Sequence, residues 1–573
     1  MISVSGKHWE EIYANKRLVE KIKIDNGFND IQSKIILSRN YTSEEVYLIK
    51  NKIDIKNPFN NTKDFILGCE LLEENLNKQN NILIVGDYDV DGCMSTSLLV
   101  NFLKTKKNKV NYFIPDRFKD GYGASKNLII KLIKQFDPGL IIFVDCGSNS
   151  HDALKHIKTK KIKSLIIDHH NLNNLYPEAD VFINPKKKNE YSNFDYLCST
   201  SLTYFFIDLY IRLKNENVRI EDQLIYVLLA TVADVMPMRG INKILSKKIL
   251  LEFNIDKNFI FKNLLKYLKI KNKLDIYDFG YKIAPLINAA GRLDNANQIV
   301  ELFTTKSINR ILEILQSISK LNDRRKLIEN KIINDLKLEN NNDENGIKFI
   351  YKLNLHEGLI GIIASRIKDY YNKPCLVLTN SNNILKGSAR STADFNIGEL
   401  IQKSCKLGIT LNGGGHNLAA GVSLKKTKLD HFKKYINEIY NNKITQSKNL
   451  YTSIISIKSI NKEFYKSIDI LGPFGNKNPI PIFLIQDVKF IKKNIIKNRY
   501  VGCFIKKDRS IIKSISFNHL NSKVSYEILN SNNDFDVLVK IRYNKLNNKR
   551  SIGLEIIDII KKWIKLDKSI NLK

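Results

Sequence analysis

The chain has 573 residues, with 92 Lys plus Arg against 59 Asp plus Glu, a formal net charge of +33 and an isoelectric point near 9.6. That length suits three or four domains of roughly 150 residues each, and no apolar run approaches the ~20 residues that span a bilayer. Seven cysteines (69, 93, 146, 198, 375, 405 and 503) lie scattered without a C-x-x-C pair, which argues against a zinc ribbon and a disulfide framework and for a reducing compartment.

Met1 to Arg17 is polar and lacks the apolar core of a signal peptide, so a soluble, cytoplasmic protein without membrane association is expected. The positive excess is the footprint of a nucleic-acid binder. It is equally what compositional drift yields, because Lys, Ile and Asn crowd the whole chain. Charge becomes informative only against an acidic crevice.

Taken in order, residues 1–45 read as a mixed leader that packs on the body. From 46 to 240 apolar runs alternate with helical stretches, the mark of an α/β domain. Three of these runs end in acids. They are Ile82–Val85 before Gly86-Asp87-Tyr88-Asp89-Val90-Asp91-Gly92, Leu140–Val144 before Asp145, and Ser164–Ile167 before Asp168-His169-His170. Short β-branched runs between polar loops predict fully buried parallel strands, whose carboxyl ends are where ligands bind. Leu224 to Val232 reads as an apolar helix ending at Asp234. Segment 241–300 is mostly helical, and Ile/Leu spacing over 307–339 predicts a long helix joining two lobes. A second α/β unit runs from about 347 to 440, and the Asn/Lys cluster at 441–449 reads as a linker. From 450 onward short strands at turn-bounded spacing predict a small β-barrel.

So many acids delivered to one crevice require a counter-charge, and a pair of divalent cations supplies it. Hard cations such as Mg²⁺ and Mn²⁺ prefer carboxylate oxygens, and Mn²⁺ accepts imidazole. The D-x-D-x-D run alone resembles a calcium loop or a solvated turn. The apolar strand before it and the helix pattern after it favour a strand–loop–helix site. Asp168-His169-His170 is sharper, since only nine histidines occur in the chain. Asp168 stands where a carboxylate fixes the tautomer of a ligating His. Asp234 reads equally as a ligand or as the cap of the next helix.

Taken together, G-D-Y-D-V-D-G, V-D-C-G, D-H-H and V-A-D resemble the DHH phosphoesterase superfamily in order and spacing. Gly387-Ser388-Ala389-Arg390-Ser391, His356 to Arg366 and Gly413 to Gly421 resemble its accessory DHHA1 domain. Pro285 to Arg292, Leu471 to Pro479 and the terminal barrel narrow the resemblance to the RecJ branch, over residues 80 to 570 or so. Leu286 and Leu355 depart from the pattern, which usually has Arg and Trp there.

The resemblance implies a parallel-sheet DHH domain joined by a long helix to a smaller α/β DHHA1 domain, plus an OB-fold-like barrel. The boundaries expected are 1–45, 46–300, 301–345, 346–442 and 450–573. It implies a single-strand-specific 5′→3′ DNA exonuclease that uses two Mn²⁺ or Mg²⁺ ions and releases mononucleotides in recombination and repair. Asp89 and Asp145 would hold one ion and Asp91, Asp145, His169 and Asp234 the other. Asp87 either joins the first or orients its water, and His170 lies by the scissile phosphate. Arg390, Ser388 and Arg292 would form an anion pocket for a 5′-phosphate, Arg matching phosphate bidentately. Arg117 would contact the backbone and Tyr122 would stack a base. Gly414, Gly415 and the neighbouring His416 would meet a phosphate, or Gly413–Gly415 would be a tight turn serving packing. Phe483, Phe490, Tyr500, Phe504 and Phe517 are candidate base platforms, of which alternation buries most. Expected partners are single-stranded DNA with a 5′ end, a helicase and a single-strand-binding protein, with the enzyme itself monomeric. Two other readings compete: a DHH phosphoesterase acting on short oligonucleotides or nucleoside bisphosphates, and a catalytically silent DNA-binding replication factor.

Overall fold

The computed structural model describes residues 1–51, 55–116, 119, 120, 123–172, 175–188, 191–270, 273–338, 346–381, 384–392, 394–442, 448–546 and 549–561. The chain divides into two compact units. One comprises 51–339 together with 473–478, and the other 1–50, 340–472 and 479–573.

The first unit is built on a five-stranded sheet in the order Val110–Phe113, Ile82–Val85, Leu140–Val144, Lys163–Ile167, Val181–Ile183, all parallel. Side chains alternate between two cores. Ile82, Ile84, Ile142, Val144, Leu165 and Ile167 face one, and Leu83, Val85, Ile141, Phe143 and Ile166 face the other. A strand buried on both sides has no polar face, which is why these segments are continuously apolar. Each such side chain contributes about 1.5–3 kcal/mol of burial. Helices Val90–Leu103, Ser199–Leu213 and Leu224–Ala233 cover the first face, and Lys126–Phe136 and His151–Thr159 the second.

From Ile82–Val85 the chain crosses first to one neighbouring strand and then to the other, so a topological switch point lies beside Leu140–Val144. Val85 is paired with Phe143 and Val144 with Ile167, so the loops that follow emerge side by side. Leu286, at the first departure from the family pattern, is buried in this core. The predicted long helix spans Ile308–Leu338. Among the described residues no helix is long and apolar enough to cross a membrane.

In the second unit a mixed sheet runs Asn412–His416, Ala419–Lys425, Ile384–Arg390, Cys375–Ser381, Lys348–Tyr351, with only the last pair parallel. The C-terminal strands close on themselves, because Phe483–Ile496 pairs with Tyr500–Lys507 along its second half and with Phe535–Leu546 along its first. Helices Lys462–Asp469 and Lys523–Asn530 interrupt what the sequence suggests is nearly all strand.

The contacts of two segments add to what spacing reveals. The leader belongs to the second unit: His8–Glu11 pairs in parallel with Lys448–Tyr451, and Trp9 Nε1 donates to buried Asp558 (3.1 Å). Residues 473–478 group with the first unit.

Candidate active site

Each acid arrives by a different local device. Asp89 caps the Val90–Leu103 helix, its Oδ1 accepting from the amides of Asp91 (2.9 Å) and Gly92 (3.2 Å). This tight entry requires glycine, since a Cβ on Gly92 would lie 2.4 Å from the Asp87 backbone. Asp91, one residue into the helix, reaches across to the start of Ser199–Leu213. Its Oδ2 accepts from the Ser199 amide (2.8 Å), and its Oδ1 from the Thr200 amide (2.8 Å) and hydroxyl (2.6 Å). A carboxylate at a helix N-terminus is favourably placed against the dipole.

Asp145 follows its strand with φ +59, a conformation that non-glycine residues adopt rarely and keep only where the surroundings impose it. Its amide is tied to Ile167 O (3.0 Å). Its Oδ1 is buried and has no hydrogen-bond partner among the described residues. Asp234 terminates the Leu224–Ala233 helix, which resolves its two sequence readings in part: it ends that helix rather than opening the next.

Three groups have ligand atoms mutually within 4.8 Å: Asp87, Asp89 and Asp145; Asp91, His169 and Asp234; and Asp145, His169 and His170. His169 Nε2 lies 3.2 Å from Asp145 Oδ1, 3.6 Å from Asp91 Oδ2 and 3.7 Å from Asp234 Oδ2. Thus six predicted ligands meet in one crevice, with Asp145 and His169 each shared between two of the groups. A buried carboxylate oxygen without a donor, ringed by further carboxylates and an imidazole, fits a hard divalent cation.

The electrostatics say the same. Burial, followed by the Asp91, Asp89 and Asp87 carboxylates, pushes the Asp145 carboxyl well above the usual range. Burial and Asp91 raise Asp89 and Asp234 likewise. Burial and the neighbouring His170 lower His169 to about 4, leaving a neutral imidazole able to ligate.

One expectation needs correcting. Asp168 braces His170, not the ring of His169: its Oδ1 lies 2.8 Å from His170 Nδ1. The same carboxylate accepts the amides of His169 (2.7 Å), His170 (3.2 Å) and Ser148 (3.1 Å). This partnership outweighs burial and pushes His170 up to about 10, while Asp168 falls below its ordinary value. Buried Asn184 completes the brace, donating to Ser148 Oγ (2.9 Å) and His170 O (3.0 Å).

Arg292 follows Gly291, whose added Cβ would fall 2.2 Å from the carbonyl of Tyr88, so its helix packs directly on the acidic loop. Arg117 and Tyr122 lie outside the described residues.

In the second unit Arg390 Nη1 donates to Ser388 Oγ (2.9 Å). A Cβ on Gly361, in the first turn of helix Ile360–Tyr371, would meet Arg390 Nη2 at 2.9 Å and Ser388 Oγ at 3.2 Å. Glycine there gives the guanidinium its place at the helix N-terminus. Ser388 pairs across with Gly421, and Gly421 with Gly414. A Cβ on either glycine meets nothing within 4 Å, so Gly414 faces open space. Gly413 and Gly415 are packing positions, with added Cβ atoms at 2.5 Å from Ile401 Cγ2 and 2.2 Å from Ala419 O. His416 is exposed beside them. Leu355, at the second departure from the family pattern, is buried. In the barrel Phe483 and Phe490 are core, whereas Phe517 is 44% exposed and packs edge-on against Tyr500 at 5.1 Å. Arg499 and Arg542 lie over these two rings at 5.3 and 5.6 Å.

Sequence reasoning overlooked Ser148, Asn184, Ser199, Thr200 and Gly361. A signal existed for two of them, because Cys198-Ser199-Thr200-Ser201 precedes an apolar run as a helix start does.

The metal-free protein is predicted to lose stability as pH rises above about 6.5. Asp145 and His170 both bind protons more tightly folded than unfolded, so raising pH strips protons that favour the native state. Mn²⁺ should flatten that slope in melting experiments. Asp145→Asn should raise the melting temperature of the EDTA-treated protein at neutral pH and abolish most of the Mn²⁺-induced rise.

Residues 81–232 match the family model "DHH family, N-terminal domain", residues 346–442 the "DHHA1 domain" and residues 452–558 the "RecJ OB domain". The single-stranded-DNA-specific exonuclease RecJ of Dickeya dadantii is 30% identical over 64% of this chain and 67% of its own. That of Haemophilus influenzae is 29% identical over 95% of this chain and 99% of its own. The crystal structure of RecJ in complex with Mn²⁺ from Thermus thermophilus superposes with a TM-score of 0.81 at 20% identity, covering 97% of this chain and 80% of that one, and shares its fold.

Proposed function

The chain belongs to the RecJ family of DHH phosphoesterases, and we propose that it is a single-stranded-DNA-specific exonuclease. It degrades strands from the 5′ end, releasing 5′-mononucleotides by phosphodiester hydrolysis in DNA recombination and repair. The observation that carries this reading is the buried Oδ1 of Asp145, without a hydrogen-bond partner among the described residues, beside the other carboxylates.

Asp87, Asp89 and Asp145 would hold one Mn²⁺ or Mg²⁺, and Asp91, Asp145, His169 and Asp234 the other. When bound, such a pair supplies an activated water and charge to stabilise the leaving oxygen. The chain's own residues do the rest. Asp91 is fixed by the helix start at Ser199 and Thr200, so one ligand is preset before a cation arrives. Bonded to Asp168 through Nδ1, His170 is held protonated, and its Nε2–H offers positive charge and a proton to the scissile phosphate. Arg390 and Ser388 at the start of helix Ile360–Tyr371 form a pocket suited to a terminal phosphate. Arg292, Gly414 and His416 complete the substrate contacts in this reading, and Gly415 serves packing. Tyr500 and Phe517, flanked by Arg499 and Arg542, form a stacking platform for bases farther along the strand.

An enzyme confined to single strands needs its duplex opened and its product strand kept open. We therefore place it in the cytoplasm, as a monomer working beside a helicase and a single-strand-binding protein.

Digestion of a 5′-phosphorylated single-stranded DNA of a few tens of nucleotides, labelled at its 3′ end, tests the activity. A ladder that shortens from the 5′ end with Mn²⁺, absent with duplex or EDTA, is expected. Inert long DNA beside rapid cleavage of dinucleotides would transfer the protein to the small-substrate branch. Arg390→Ala should lower kcat/KM on 5′-phosphorylated ends about 10–100-fold, and much less on 5′-hydroxyl ends. Equal loss on both would refute the pocket. Tyr500→Ala with Phe517→Ala should weaken binding of long strands at least 10-fold while sparing short ones, since each stacked base is worth about 1–3 kcal/mol. Point variants are needed here, because deleting 450–573 would also strip 473–478 from the first unit.

A further inference from the structure

The segment Pro473–Asn478 is a tight hairpin in the first unit, although the chain on both sides of it belongs to the second. Gly475 and Asn478 exchange amide–carbonyl bonds (2.9 and 3.1 Å), and Lys477 takes a left-handed φ of +59. Buried Asn478 closes the base by donating to Pro473 O (2.9 Å). This rigid tip touches the turn that follows Asp234. The Asn476 side-chain amide donates to Val235 O (2.7 Å), and the Met238 amide donates to Asn476 O (2.7 Å). One residue therefore holds both ends of the turn Val235–Met238. A Cβ on Gly475 would come within 3.2 Å of Met238 Cβ, so the approach is close.

That turn has reason to need holding. Val235 is β-branched yet has φ +54, and its side chain is 64% exposed, so its own burial does not impose the conformation. Asp234 sits at the C-terminal end of its helix, where the dipole is negative, and beside Asp91, whose carboxylate repels it. Without a cation, both forces drive the Asp234 carboxylate away from the crevice. We infer that Asn476 is a positioning residue for cation binding: by gripping Val235 O and the Met238 amide it presets Asp234 as a ligand. The inference rests on the two-cation reading of the site and adds to it a residue far away in sequence.

The test uses the full-length chain with Asn476→Ala and Asn476→Asp, the latter replacing the amide donor by a carboxylate that repels Val235 O. Mn²⁺ binding by calorimetry and the Mn²⁺-induced rise in melting temperature are the primary readouts, with activity against Mn²⁺ concentration beside them. Partners that orient ligands typically change metal affinity by about 10–100-fold. The expected result is a Mn²⁺ midpoint raised at least 10-fold, an EDTA melting temperature close to that of the wild type, and kcat restored at saturating Mn²⁺. On an Asp234→Ala background Asn476→Ala should add no further loss of affinity. An unchanged Mn²⁺ midpoint, or additive losses in the double variant, would overturn the inference. A wild-type protein that itself gains no stability from Mn²⁺ would instead overturn the cation reading on which it rests.

Discussion

Mutual repulsion among carboxylates gathered in one crevice is the constraint on which the rest of the structure depends. Asp87, Asp91 and Asp145 are all buried, and Asp145 Oδ1 accepts from no donor among the described residues. An isolated ionised carboxylate in such surroundings would protonate or turn outward. Here it can do little of the second, because the strand before it is locked between two cores and its amide is bonded to Ile167 O. The sheet thus holds an unfavourable charge arrangement in place, to be relieved by a cation and not by rearrangement.

The supports differ from acid to acid, and the difference is chemical. Asp89 and Asp91 receive backbone amides from helix starts, which stabilise the charged form. Asp145 receives strain and exclusion of water. Asp168 receives three amides and the His170 ring, so it is already neutralised and acts as a brace. Asp234 receives nothing at its carboxylate from the described scaffold beyond proximity to His169, and its surroundings push it outward. A site built this way contains preset positions and one that must be held from outside, and hence makes the docking of a remote hairpin onto the Asp234 turn intelligible.

Much of this was legible in sequence because the strands are buried on both faces. An unbroken apolar run ending in an acid has few alternative meanings, and the acids at 87, 89, 91 and 145 and the His at 169 converge where the strand-end rule puts them, while Asp234 joins them from the end of a helix. What escaped reading depends on contacts distant along the chain. That Asp168 grips His170 instead of orienting His169 is set by ring directions, not by spacing. Asn184 and Thr200 become meaningful only when their strand and helix are brought beside the loop. The glycines divided in a way no pattern reveals: Gly415 packs against Ala419 O, while Gly414 is open. That 473–478 packs with the first unit was not legible, because turn chemistry identifies a hairpin but not the surface it meets.

The same crevice holds three thiols, a residue type that competes for metal wherever it ionises. Cys93, Cys146 and Cys198 are buried, and burial together with the nearby carboxylates pushes each well above the ordinary thiol range. Only a thiolate is a strong ligand for soft metals. Cys146 Sγ is turned to Val85 O (3.5 Å), and Cys93 Sγ lies 3.9 Å from the carbonyls of Asp87 and Ala296. These two sulfurs face backbone acceptors, Cys198 Sγ faces the hydroxyls of Ser201 (3.3 Å) and Thr231 (3.9 Å), and all three fill space like small apolar groups. The donors gathered in the crevice are therefore carboxylate oxygens and imidazole nitrogen, the set that suits a hard divalent cation, while these sulfurs are turned to other partners.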